Sequence, residues 1–255
     1  MPSEPWTPSL AELERIAARG WRGLVERTLG EWVLRASGGF TGRANSVLGL
    51  GDPGRPLDRA LAAVDAFYAE HGLPAFFQVP FEGRPEVSAL SRSLTELGWQ
   101  PFNASVVLVA PLAVAASSFP GGDPDLDLRH DATPSSAWLR GYHYRGATPP
   151  SNAPAVLVSA DVRPTFLTAT AGGELAGVAR GVVTDGWLGV TAVTVEPPFR
   201  RRGVGSTLMA ELIRWAIAAG AHHAYLQVAV ENDAALAMYE RGGFVEHHRY
   251  HYLRR

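Results

Sequence analysis

The stretch Val193-Thr194-Val195-Glu196-Pro197-Pro198-Phe199-Arg200-Arg201-Arg202-Gly203-Val204-Gly205-Ser206-Thr207 decides the fold. The residues leading into it, 188–195, are rich in β-branched side chains and read as a buried strand. Pro197 and Pro198 end that strand, because neither can donate to a ladder. An Arg-x-x-Gly-x-Gly turn follows at Arg200, Gly203 and Gly205. Ser206 and Thr207 then open a helix whose Leu208, Met209, Leu212, Ile213, Trp215 and Ala216 share one apolar face.

Strand, basic glycine turn and helix N-terminus in that order make an anion site. The first-turn N–H groups and the helix dipole both favour negative charge. Glycines allow close approach and positive φ, and Arg200, Arg201 and Arg202 add charge suited to a di- or triphosphate. Two familiar cradles fit poorly. A P-loop needs Gly-Lys-Ser/Thr, and no lysine stands here. The dinucleotide fingerprint needs a small residue at position 208, which is Leu208. Taken alone, the turn also fits a solvated basic loop.

Downstream, the strand Tyr225-Leu226-Gln227-Val228 precedes Asn232-x-x-Ala235-x-x-x-Tyr239-x-x-x-Gly243-Phe244. The two linked motifs together resemble the GNAT superfamily of acyl-CoA-dependent N-acyltransferases, over roughly residues 125–255. The resemblance implies an α/β (α+β) fold: a mixed, twisted sheet, splayed between its central strands and flanked by helices.

Composition sets the bounds. The chain has 255 residues, enough for two domains. Hydrophobic content of 46% with 19% charged residues is that of an ordinary globular protein. A net charge of −2 and the lack of a long basic stripe argue against nucleic acid as a partner. There are no cysteines, so disulfides, thiolate metal sites and a cysteine acyl-enzyme are excluded. Met1-Pro2-Ser3-Glu4-Pro5-Trp6 has neither a basic n-region nor an apolar core, and no signal peptide is expected. No apolar run approaches the ~18 residues of a membrane span. The expected compartment is the cytoplasm.

Along the first half, helices are predicted over 8–19, 57–70 and 86–97, and strands over 31–35, 43–48, 75–79 and 104–109. Residues 21–28 give no clear pattern. This order echoes the second half, and Leu94-Thr95-Glu96-Leu97-Gly98-Trp99 parallels residues 238–244. Residues 1–112 therefore read as a degenerate GNAT-like domain, 113–125 as a linker, and 126–255 as the catalytic domain. The first half's own turn, 49–56, carries Asp52 and two prolines in place of the basic glycine motif and is predicted not to bind CoA. An unrelated α+β domain is the alternative for this half. In the second half, Thr133 or Ser135 caps a helix, 165–171 and 175–183 form a hairpin, and Asp185-Gly186 turns into the strand 187–195.

The resemblance also implies site residues. Val193, Thr194 and Val195 would meet the pantetheine arm, with backbone bonds at Val193 and Val195. Arg200, Arg201, Arg202, Gly203, Val204, Gly205, Ser206 and Thr207 would hold the pyrophosphate of acetyl-CoA, chiefly through N–H groups. The family often has glycine where Arg201 stands. Asn232 and Ala235 would contact the cofactor, although Asn232 also reads as a helix N-cap. Tyr239 matches the family's general acid for the departing thiolate, and a core aromatic is its alternative. No base is assigned. Gly189 and Thr191 occupy the inward strand positions where many members carry a carboxylate, and Glu196, His143 and Tyr142 remain candidates. No histidine spacing fits a metal site. The expected activity is direct transfer of acetyl from acetyl-CoA to a primary amine, most simply a small molecule, by a monomer or homodimer. A non-catalytic acyl-CoA sensor or scaffold, and a protein N-terminal or lysine acetyltransferase, are the rival readings.

Overall fold

The computed structural model describes residues 7–85, 88–119, 121, 125–143 and 148–255. The first half runs α1 (Leu10–Gly20), β1 (Val25–Leu29), β2 (Trp32–Ala36), β3 (Val47–Leu48), α2 (Leu57–Glu70), β4 (Phe77–Phe81), α3 (Ala89–Glu96) and β5 (Gln100–Pro111). Then comes α4 (Leu112–Ser118). The second half runs β6 (Asp127–Asp131), α5 (Ser136–Gly141), α6 (Ala153–Val158), β7 (Thr165–Ala171), β8 (Glu174–Thr184) and β9 (Trp187–Val195). It ends with α7 (Val204–Ala218), β10 (His223–Ala229), α8 (Asp233–Arg241) and β11 (Val245–Arg254).

Local chemistry sets the boundaries. Ser9 and Glu12 cap α1 reciprocally, the Ser9 hydroxyl accepting from the Glu12 N–H and the Glu12 carboxylate from the Ser9 N–H. Of the two candidates for the cap of α5, Ser135 serves, accepting from the Trp138 N–H at 3.1 Å. Asp185 and Gly186, with φ of 48° and 74°, make the tight turn between β8 and β9.

Three stretches differ from the sequence reading. The strand expected over 43–48 is confined to Val47–Leu48. Ahead of it the chain is a loop built on Asn45, whose Oδ1 accepts from the Ser37 and Gly39 N–H groups and whose Nδ2 donates to the Phe40 and Thr41 carbonyls. The patternless 21–28 stretch runs into β1, an edge strand over Val25–Leu29. The stretch read as a linker opens with α4. The Phe119 ring and Val114 press so closely on Gly242 and Gly243 that a Cβ at either glycine would overlap them.

The described strands join one mixed sheet in the order β1-β2-β3-β4-β11-β5-β10-β9-β8-β7-β6. The two halves repeat one pattern about a pseudo-twofold between β11 and β5. In the first half, β2 and β3 are antiparallel and β3 and β4 parallel. In the second, β8 and β9 are antiparallel and β9 and β10 parallel. Each half then lends a strand to the other. β11 pairs with β4, and β5 pairs with β10, both antiparallel.

β5 is buried without a break from Val106 to Ala110, as a central strand covered on both faces must be. Val106, Leu108 and Ala110 face the layer of α4 and α7. Val107 and Val109 face Leu13 and Ala17 of α1. Beneath α1 a buried polar chain crosses the halves. Glu14 bonds His248 Nε2 at 2.8 Å and Gln78 Nε2 at 3.0 Å, and Gln78 Oε1 accepts from Arg35 at 2.9 Å. These buried charges are each hydrogen-bonded, the condition for tolerating them.

Where β9 begins beside β10, Gly189 lies opposite Tyr225, and a Cβ on Gly189 would fall on the Tyr225 phenol. Gly189→Ala should therefore cost about 1–3 kcal/mol by overpacking. Urea unfolding would read this as a lowered midpoint with an unchanged slope. A midpoint equal to that of the parent chain would show that the phenol has room to move.

Candidate active site

β9 and β10 pair over only four positions, from Trp187↔His223 to Val190↔Leu226. Beyond them the strands part. β9 stays on β8, with Val195 opposite Gly177, while β10 stays on β5 as far as Ala229↔Ser105. The parting is prepared by a bulge in β9 at Ala192, whose φ is 59°. From Thr191 to Val195 the strand is only half-buried.

Alternation along the strand decides which backbone groups face the gap. The Glu196 N–H donates to Ala176 of β8 at 2.9 Å, and the Thr194 carbonyl faces Gly177. Val193 and Val195 therefore turn to the open side. The Val195 carbonyl is held there by Arg200 Nε at 3.1 Å. Thr194, one of the expected contacts, spends its backbone on β8.

The gap leads to the basic turn. Pro197–Phe199 form one 3₁₀ turn, and Gly203 stands as N-cap of α7 with φ 85° and no side-chain cap. Nothing lies within 4 Å of a Cβ built on Gly203, so its surface is open. No acidic residue occupies the first turn of α7. Its leading N–H groups, at Val204, Gly205 and Ser206, thus face an open surface beside the exposed Arg201 and Arg202. Arg202 lies over the Phe199 ring, 5.4 Å from its centre. Arg201 takes φ 63°, the left-handed conformation that glycine adopts freely. Gly205 serves packing, since a Cβ there would lie 3.2 Å from Met238 Sδ. Thr207 is buried, and its N–H and hydroxyl both bond the Gly203 carbonyl, so it closes the first turn.

Asn232 caps α8 by accepting from the Ala235 N–H at 3.2 Å, which leaves its amide nitrogen as the group able to face a ligand. Tyr239 is buried against Phe244, and burial raises its phenol above the ordinary tyrosine range. A phenol so held stays protonated at neutral pH. Glu196 and His143 lie 3.7 Å apart, the carboxylate mostly covered and the imidazole half exposed. Tyr142 is buried against Trp138 and Phe40. Residues 144–147 lie outside the described chain.

The turn of the first half is closed by its own acids. The Asp52 N–H donates to Glu31 Oε2 at 2.7 Å and the Gly54 N–H to Asp52 Oδ1 at 2.7 Å. A Cβ on Gly51 would fall on the Glu31 carboxylate, and Asp58 sits in the first turn of α2. The helix-end turns also correspond. Trp99 N–H bonds the Leu94 carbonyl as Phe244 N–H bonds Tyr239, both at 3.0 Å, so Leu94 stands where the second half has its phenol.

At the fork itself the site reading from sequence missed five residues, Gln227, Arg43, Tyr250, Arg180 and Trp21. Gln227, the first β10 residue past the pairing, accepts from Arg43 Nη1 at 2.7 Å and from the Tyr250 hydroxyl at 3.4 Å. Opposite, Arg180 reaches Thr191 Oγ1 at 3.4 Å. Both guanidiniums lie over the ring of Trp21, at 4.7 and 4.8 Å. A lone arginine inside the apolar run 175–183 was the one available signal.

Among the described residues, no helix is long and apolar enough to cross a membrane, and no group of three or more acidic or histidine side chains is placed to hold a metal. Residues 7–253 match the family described as "Probable histone acetyltransferase Rv0428c C-terminal". The chain is 26% identical to the Bacillus subtilis "Uncharacterized N-acetyltransferase YobR", over 95% of this chain and 97% of that one. It is 28% identical to the Mycobacterium tuberculosis "Probable histone acetyltransferase Rv0428c", over 97% of this chain and 74% of that one. A GCN5-related N-acetyltransferase from Kribbella flavida superposes with a TM-score of 0.68 at 18% identity, covering 96% and 92% of the two chains. A tandem GNAT protein from the clavulanic acid biosynthesis pathway gives 0.65 at 16% identity, covering 82% of this chain and 73% of its own. With this fold and these relatives, the chain belongs to the Rv0428c C-terminal acetyltransferase family of the GNAT superfamily.

Proposed function

We propose that the protein transfers an acetyl group from acetyl-CoA directly to a primary amine, at one site in its second half. The observation that carries this reading is the parting of β9 and β10 that opens onto the uncapped, arginine-flanked N-terminus of α7. The fit to the cofactor rests on two features. The gap exposes backbone of Val193 and Val195 that a pantetheine amide can pair with, and the open Gly203 surface admits a pyrophosphate. Arg201 and Arg202 would add charge there, and the Asn232 amide nitrogen a further donor. When bound, acetyl-CoA supplies an activated thioester carbonyl.

The chain's own groups then divide the work. The Val193 N–H would meet negative charge developing on the carbonyl oxygen. The Tyr239 phenol holds a proton for the departing sulfur. The amine must lose a proton to react, since an alkyl amine has a pKa of about 10. We assign its acceptor to Glu196, with His143 beside it. The first half, with Glu31 and Asp52 filling its turn and Leu94 in place of the phenol, binds no CoA.

Calorimetry with acetyl-CoA should find one site per chain. Gly203→Asp or Arg202→Glu should weaken it by about 10–100-fold, the loss of one charge-assisted contact. Two sites, or full affinity in either variant, would overturn the cradle assignment. Tyr239→Phe should lower kcat by about 10²-fold or more with acetyl-CoA affinity kept. Unchanged turnover would leave Tyr239 a core aromatic. Glu196→Gln should likewise lower kcat with acetyl-CoA affinity kept. Unchanged turnover would move the base elsewhere.

A further inference from the structure

β9 changes its step against β8 at the bulge. Thr191 stands opposite Arg180 and Thr194 opposite Val178, so Ala192 and Val193 together face Ala179. The extra residue reverses the alternation of the strand, as a one-residue slip does. Without it, the backbone groups of Val193 and Val195 that face the gap would turn to β8. The bulge therefore decides which groups the gap offers, and Thr191 is the last residue ahead of it. Thr191 is also the first β9 residue past the pairing with β10, which ends at Val190↔Leu226.

Arg180 holds Thr191 at that point. Its Nη1 donates to the Thr191 hydroxyl at 3.4 Å, its Nε to the Leu157 carbonyl of α6 at 2.8 Å and its Nη2 to the Gly20 carbonyl of α1 at 2.9 Å. A guanidinium, with donors spread along a rigid fork, reaches three elements at once. The two anchors are themselves joined. The Arg22 N–H donates to the Ser159 carbonyl at 3.0 Å, and the Asp161 N–H to the Arg19 carbonyl at 2.9 Å. Gly20 is tightly packed, since a Cβ there would lie 2.8 Å from the Tyr225 hydroxyl. Arg180 is completely buried, and burial lowers its pKa to about 9, so it stays charged at neutral pH. Such a charge is weak support for stability, because desolvation offsets what its bonds return.

We propose that Arg180 fixes the register of β9 at the bulge by clamping Thr191, and so keeps the backbone of Val193 and Val195 turned to the pantetheine arm. This rests on the acetyltransferase reading of the same site. Being completely buried, Arg180 touches neither cofactor nor acceptor and acts through Thr191 as a positioning residue. The clamp bears on the arm and not on the pyrophosphate, whose proposed cradle at Gly203 is built by α7, beyond the Pro197–Phe199 turn.

The test compares two ligands on the full chain by calorimetry: acetyl-CoA, and 3′-phospho-ADP, which is CoA without its pantetheine arm. Thr191→Val removes the clamped hydroxyl and keeps the shape of the side chain. It should weaken acetyl-CoA by about tenfold, with 3′-phospho-ADP affinity and the thermal midpoint retained. Thr191→Ser, which keeps the hydroxyl, should recover most of the lost affinity. Arg180→Lys should show the same selective loss, and adding Thr191→Val to it should cost little more, since both changes break one contact. Unchanged acetyl-CoA affinity in Thr191→Val, an equal loss for both ligands, an equal loss in Thr191→Ser, or additive losses in the double variant would each overturn the proposal. A merely structural contact would lower the midpoint and leave the ratio of the two affinities as it was. Should Arg180→Lys fail to fold, the two Thr191 variants decide. Failure of the parent chain to bind either ligand would instead sink the cofactor reading, and the clamp with it.

Discussion

The pairing of β10 with β5 is what the rest of the molecule depends on. β10 must leave β9 for a gap to exist, and a strand freed on one edge needs a firm ladder on the other. β5 supplies it over seven positions, from His223↔Pro111 to Ala229↔Ser105, and β5 belongs to the first half. β11 returns the favour by pairing with β4. The open gap of the second half is therefore braced by a strand whose chain lies on the other side of α4. Strands exchanged in both directions also couple the halves mechanically, since neither half can leave the shared sheet without breaking a ladder that the other needs.

Two halves with one topology have opposite electrostatics at corresponding turns. α7 begins with no acid and no side-chain cap, behind three arginines. α2 begins with Asp58, and its preceding turn takes its hydrogen bonds from Glu31 and Asp52. In the first half the helix N-terminus is complemented by negative charge that is part of the chain. In the second no acid stands in the first turn and no side chain caps it, so its N-terminus is left to solvent. The same division appears behind the turns, where Leu94 packs and Tyr239 carries a hydroxyl.

The strand boundaries at 187–195, the helix over Leu57–Glu70 and the β7–β8 hairpin were legible, because Pro197-Pro198, Pro56 and Gly172-Gly173 mark chain breaks that local sterics enforce. The family and its fold were legible because two motifs fall at fixed places on that frame. The exchange of β5 and β11 was not. The strand expected over 104–109 is β5, but which edge a strand joins depends on distant partners, and no local pattern carries that. The loop ahead of β3 misled for a related reason: the run 43–48 reads as a strand by its place after a glycine turn, and the four hydrogen bonds of Asn45 fold it as a loop instead. Arg43 could not be placed at the fork without that loop. Glu196 and His143, 53 positions apart in the sequence, become neighbours only once α5 packs on β8.

The loop that carries Arg43 is fixed from both sides. Asn45 folds it from within, and Asn152 of the second half donates to its Ser37 carbonyl at 2.8 Å. Trp21, at the end of α1, donates to Thr41 at 3.2 Å and lies under both guanidiniums. A loop of the first half is thus held against the open end of β10, where Arg43 donates to Gln227, and the exchange of β5 and β11 is the physical reason that the two halves meet there.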